Sequence, residues 1–220
     1  MEYIKKYKFI AFAVLIISAV IIIIVNINDK RKTKDILIQR KPVIEQEVPT
    51  ANNLPTIDFD ALRKKYHNND IKGAIRINDE NFEEIVFQKD DNKYYLTHNY
   101  RGKKTNGEIF IDYKQNIDKS ELKIIYGDGK KETSTFKKYN NYEYYNKHKY
   151  IELETDKAVY KYEVLAFYEG SIDFDKTEID DIISESKYKY NLNYSNDDEF
   201  LIFRTKTDNG FINIISKKVN

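Results

Sequence analysis

After residue 57 the chain reads as short apolar runs separated by clusters of Asn, Asp, Gly and Lys: GAIRI, EEIVFQ, GEIFIDY, ELKIIYG, YIELET, AVYKYEVLAFY, FLIFRT and FINIISKKV. Runs of this length, rich in Ile, Val, Phe and Tyr and bounded by turn formers, predict strands. Eight of them predict a barrel or a sandwich. Two stretches switch to helical spacing. In DFDALRKKY, Asp58 is placed to cap a short helix whose Phe59, Leu62 and Tyr66 share one face. In TEIDDIISES, Thr177 and Asp180 stand at capping-box spacing beside Ile179, Ile182 and Ile183, which predicts a second helix late in the chain.

A different pattern holds at the start. No residue from Phe9 to Asn28 is charged, and a run of about 20 such residues is long enough to cross the hydrocarbon core as a helix. Lys5, Lys6 and Lys8 precede it as they would in a secretory signal, but the apolar run is long and no small-x-small cleavage site closes it. The expectation is an uncleaved anchor. Lys30, Arg31, Lys32 and Lys34 follow the run as densely as the lysines before it, so flanking charge does not orient it. A short stub followed by a long domain favours the domain outside, because long domains translocate largely regardless of charge. Pro42, Pro49 and Pro55 all fall before Ile57 in a stretch with few aromatics, which reads as a tether. The predicted organisation is a cytoplasmic stub (1–8), a transmembrane signal anchor (9–28), an extracytoplasmic tether (29–57) and one domain (58–220) of a single-pass cell-membrane protein.

Composition narrows the chemistry. The 37 Lys and Arg nearly balance the 36 Asp and Glu, so there is no large field to gather nucleic acid. The aromatic segment FKKYNNYEYYNKHKY therefore reads as core and rim of a sheet, not as a base-stacking platform. The chain has no cysteine, which removes disulfides, thiolate metal sites and thiol nucleophiles together. No cofactor is expected.

Read together, FDALRKKYHNNDIKGAIRI, IVFQKDDNKYYLTHNYRGKKTNGEIFIDYKQN, ELKIIYG and KYNNYEYYNKHKYIELET resemble the sortases, and class B sortases in particular, in order and spacing. The most specific stretch is Gln88 to Asn116, where the YYL and GxIFxDY patterns occur in register. The resemblance covers nearly everything after the tether. It implies a mainly β fold: an eight-stranded β-barrel with an N-terminal helix and a helix before the penultimate strand, behind a membrane anchor. It also implies a transpeptidase site in which a Cys attacks a sorting-signal peptide, a His transfers protons and an Arg stabilises substrate or oxyanion.

Each of those three positions departs from the family. The segment that reads Ile-Ile-Tyr-Gly-His in the family is IIYGDG here, so Asp128 stands at the histidine position, although Asp-Gly is equally a tight-turn signal. LIFRTK places Lys206 at the nucleophile position, and GFINII begins with Gly210 where the arginine belongs. With no cysteine in the chain no shift of alignment restores a thiolate, and losing the nucleophile cost about a million-fold in a dissected serine hydrolase. Sortase chemistry is excluded on composition.

The expectation is that Asp128 and Lys206 form an ion pair. Arg204, two residues before Lys206, should face the same side of its strand. Arg204, Lys206 and Asp128 are then candidate groove-binding residues, or simply solvated charges on a rim. His67, His98 and His148 read as surface or packing histidines, and Ala74, where class B sortases often place Trp, alters groove shape. Three functions stay open. The first is a non-catalytic accessory that binds a sorting-signal peptide, a surface protein or an active sortase in surface-protein or pilus assembly. The second is an enzyme of altered chemistry using Lys206 or Asp128, and the third is a purely structural envelope protein.

Overall fold

A computed structural model describes residues 55–105, 107–127, 134–174, 177–208 and 210–219. The described strands are β1 (Ile71–Ile77), β2 (Phe82–Phe87), β3 (Ile109–Ile111), β4 (Leu122–Tyr126), β5 (Tyr150–Thr155), β6 (Val159–Glu169), β7 (Tyr188–Lys189), β8 (Phe200–Thr207) and β9 (Gly210–Lys218). The described helices are α1 (Phe59–Tyr66), α2 (Tyr94–Thr97), α3 (Ser134–Lys137), α4 (Tyr142–Lys147) and α5 (Ile179–Ser184), with a 3-10 turn at Lys138–Asn140.

All eight apolar runs become strands, and they close on one another. The sheet order is β5-β1-β2-β3-β4-β8-β9-β6, and β5 also pairs with β6, so an eight-stranded barrel results with β7 as a short addition to the outside of β6. Closure leaves no open sheet edge in the ring, which is the physical reason a strand-rich chain adopts it. Most pairings are antiparallel; β2 with β3 and β4 with β8 are parallel.

Alternation along β8 shows how both faces are buried. Leu201 and Phe203 enter the main core with Ile75, Ile125 and Val164. Phe200 and Ile202 lie on the opposite face, in a second cluster with Leu165, Ile215 and the α5 residues Ile182 and Ile183. A strand covered on both sides has no polar face, so FLIF is continuously apolar. Arg204 and Lys206 continue the outward set.

The start of the domain is tied down by charge. Asp58 caps α1, its carboxylate accepting from the Ala61 N–H at 2.9 Å, and Phe59 and Leu62 are buried as the spacing predicted. Ile57, counted with the tether by sequence, is buried too. Its N–H donates to the fully buried carboxylate of Glu154 at 2.6 Å. Arg76 donates to the same carboxylate at 2.7 Å, and it also meets Glu83 and Glu152, each at 3.1 Å.

Two local expectations change. The late helix exists with Ile182 and Ile183 buried, but its N-cap is Glu178 and no side chain caps it. The Thr177 capping box does not form because the Asp180 carboxylate is bound instead by the Tyr194 hydroxyl at 2.8 Å and the Asn196 amide at 3.1 Å. The aromatic segment is core and rim as read, but it is helical. Phe136, Tyr139 and Tyr145 join the main core, with Phe136 stacked on Phe203 at 3.6 Å. Tyr142 stays 63% exposed. The Asn141 side chain starts α4 by accepting from the N–H groups of Glu143 and Tyr144, a capping signal the strand-dominated reading passed over.

Among the described residues no helix is long and apolar enough to cross a membrane. The run from Phe9 to Asn28 lies outside them.

Candidate functional site

The site is assembled at the ends of β4 and β8, which run side by side. Tyr126 is in register with Arg204, and the Gly127 N–H continues the ladder to the Arg204 carbonyl at 2.9 Å. Across the other edge of β8, Arg204 is opposite Asn213 and Lys206 is opposite Phe211. Phe110 of β3 is opposite Tyr126. Residues opposite one another share a face of the sheet, so Phe110, Tyr126, Arg204, Lys206 and Phe211 are brought together by register alone.

Together with Asn92, Leu96, Ile172 and Phe174 they line a pocket of about 400 Å³. Phe110 and Tyr126 stack at 5.1 Å and form one wall. The segment leading toward α5 supplies the other wall through Ile172 and Phe174. At the edge sits Asp112, whose carboxylate accepts from Asn92 at 2.7 Å, from the Tyr126 hydroxyl at 3.2 Å and from the Lys114 N–H at 2.9 Å. That carboxylate is fully engaged.

Arg204 is only 8% exposed. Its guanidinium donates to the Ile172 carbonyl at 3.0 Å and to the Ser171 hydroxyl at 3.4 Å. It lies over the Phe211 ring at 4.1 Å and the Phe174 ring at 5.4 Å. No carboxylate meets it among the described residues. Burial accordingly pulls its pKa below the ordinary arginine range, with the Tyr126 and Tyr168 hydroxyls only partly countering. The group stays cationic, because arginine does not deprotonate in proteins.

Lys206 shares this face with Arg204, as the alternation predicted, but is exposed. It lacks the apolar enclosure that activates nucleophilic lysines. Gly210 opens β9 opposite Thr207 with φ +127°, and a Cβ there would meet no atom within 4 Å. Backbone conformation, not space, makes glycine suit that position. Asp128, and with it the expected ion pair to Lys206, lies outside the described residues.

The histidines sit where packing puts them, away from the pocket. His67 closes α1 in the left-handed conformation and is exposed. His98 stacks on Tyr94 at 4.5 Å. His148 binds the Asn78 carbonyl through Nδ1 at 2.9 Å and faces Glu80 at 3.8 Å. Among the described residues no group of His, Asp or Glu is arranged to hold a metal ion. What sequence reasoning missed is the aromatic lining. Phe110 and Tyr126 lie inside the stretches that carry the resemblance, but their shared face depends on a β3–β4 register that one strand's pattern does not reveal.

No family model matches the chain. It is 27% identical to sortase B of Listeria monocytogenes over 199 residues, 82% of this chain and 80% of that protein. Its fold superposes with a TM-score of 0.69 on Bacillus anthracis sortase B in complex with AAEK1, at 23% identity over 89% of this chain and 98% of the other. A Staphylococcus aureus sortase B–substrate complex matches with a TM-score of 0.63 and 20% identity, covering 74% of this chain and 91% of the other. The chain is a class B sortase-like protein by sequence resemblance and barrel fold, and it carries no cysteine.

Proposed function

We propose that the protein is a membrane-tethered, extracytoplasmic binding or accessory protein that uses a class B sortase-like barrel to hold a peptide of the sorting-signal kind, or the surface protein or sortase presenting it, without turnover. The observation that carries this reading is a pocket lined by two cations and four aromatic rings on a barrel whose chain has no thiol. Recognition requires a pocket and convergent polar groups. Acyl transfer also requires an activated nucleophile, and the exposed Lys206 is a poor one. The substrate complex of the S. aureus relative supports peptide as the class of ligand. The uncharged run at Phe9–Asn28 supports the tether.

Two measurements test this. The purified full chain, incubated with a sorting peptide and an amine acceptor, is expected to give no cleaved or transferred product. A photo-crosslinking residue at Lys206, introduced in intact cells, is expected to capture a surface protein or a sortase. Turnover that disappears in Lys206→Ala would replace this reading with the altered-chemistry enzyme. Absence of both turnover and capture would leave the barrel as a structural element.

A further inference from the structure

Arg204 is a cation taken out of water without an anion to replace the water. A buried guanidinium is compensated when carboxylates reach it, and its planar fork of donors fits a carboxylate two bonds at a time. Here its described hydrogen bonds go to one carbonyl and one hydroxyl, and the hydroxyl contact is long, at 3.4 Å. Phe211 lies beneath the guanidinium at 4.1 Å and orders its plane. Lys206 adds a second positive charge to the same pocket. The described residues that line the pocket include no Asp or Glu. Asp112 at its edge is already held by Asn92, Tyr126 and the Lys114 N–H.

Charge complementarity therefore specifies the occupant more narrowly than the word peptide does. We propose that this pocket binds peptides through a carboxylate, which pairs with the Arg204 guanidinium while the adjoining apolar side chain packs on Phe110, Tyr126 and Phe211. The anion would enter where Lys206 meets solvent and displace the weak Ser171 contact. The proposal deepens the peptide reading and rests on it: the barrel selects a charged end or an acidic side chain, which a site built to attack a neutral peptide bond has no need to do.

The test uses the full chain in detergent and three probes: acetyl-Ala-Ala-Phe as the free acid, the same peptide as its C-terminal amide, and acetyl-Ala-Glu-Phe-amide. Calorimetric titration is expected to show the free acid binding roughly ten- to a hundredfold tighter than the amide, the range for a hydrogen-bonded charge pair. The Arg204 Nε–H signal in a nitrogen-resolved NMR spectrum is expected to move with the acid and not with the amide. Arg204→Gln should abolish the preference and Arg204→Lys should keep part of it. Should the glutamine variant fail to fold, the lysine variant and the Nε–H signal decide. If the glutamate peptide equals the free acid, the site takes a side-chain carboxylate; if it equals the amide, the site takes a chain terminus. Either result supports the proposal.

Acid and amide binding alike would overturn the carboxylate assignment and leave the peptide reading intact. So would no binding by any probe alongside successful crosslinking in cells, whereas failure of both experiments would remove both readings. Acid binding that emerges only in Asp128→Asn would also overturn it, because the chain's own carboxylate would then be the partner of Arg204.

Discussion

Arg76 and Arg204 are both arginines on barrel strands and both largely withdrawn from solvent, yet their surroundings are opposite. Arg76 on β1 is met by Glu83, Glu152 and Glu154 from the two neighbouring strands, and its pKa is raised because those carboxylates outweigh the cost of burial. Arg204 on β8 meets a carbonyl, a hydroxyl and two rings, and burial lowers its pKa. Lys123 on β4 stands between them. Its ammonium is fully buried and bonded to Glu199 and to the Ser120 carbonyl, and burial still outweighs the partner and lowers its pKa. The lesson is that a cation completed by its own chain works as a structural clamp, whereas one left without an anion keeps its capacity to bind available to something else.

The sharpest way to break this comparison is to remove each arginine. Arg76→Ala strands the buried Glu154 carboxylate, which keeps only its bonds to the Thr56 and Ile57 segment. Loss of one partner from a buried pair costs about 3–5 kcal/mol, so urea unfolding should show a loss near the low end of that range. Arg204→Ala removes a desolvated charge with no described carboxylate partner and should cost only about 1 kcal/mol, mainly through lost packing on Phe211 and Phe174. Equal losses for the two would end the distinction.

Gly210→Ala should cost about 1 kcal/mol or more, because φ +127° strains any side-chain-bearing residue there. Thermal unfolding reads this directly. A drop this size with no change in peptide binding would separate hairpin conformation from the pocket.

The acid limb of stability sharpens the intermediate case. Burial pushes the Glu199 carboxyl upward, but hydrogen bonds from Lys123, Tyr162 and Lys218 outweigh it and hold the pKa below the ordinary glutamate value. A carboxyl held low in the folded state binds fewer protons there than in the unfolded chain. Its stabilisation is therefore present above the unfolded pKa of about 4.3 and is lost as pH falls through the folded value. Melting temperatures taken from about pH 6 down to about pH 3 should fall less steeply in Glu199→Gln than in the parent. The smallest effect is expected at Lys206→Ala. This residue is exposed, so stability should stay within about 0.5 kcal/mol, while affinity for an acidic peptide falls modestly.

Much of this molecule is readable along the chain. The eight runs became eight barrel strands because a strand buried on one face or both leaves a continuous or alternating apolar signature. Asp58 capped α1 because an N-cap acts within one turn. The same locality explains the failures. Thr177 and Asp180 have capping-box spacing, but Tyr194 and Asn196 compete for the carboxylate from farther along the chain. The helices around Phe136 and Tyr145 were obscured because their aromatic residues serve the barrel core, and tertiary burial outweighs propensity in such segments.

For the site, the absence of a nucleophile follows from the letters alone, since chemistry cannot use a residue the chain does not have. That Arg204 and Lys206 share a side follows from the two-residue period of a strand. Which rings surround them, and whether a carboxylate reaches the guanidinium, was decided by the register of β3, β4, β8 and β9. Register joins residues about a hundred positions apart, and no local pattern encodes that pairing.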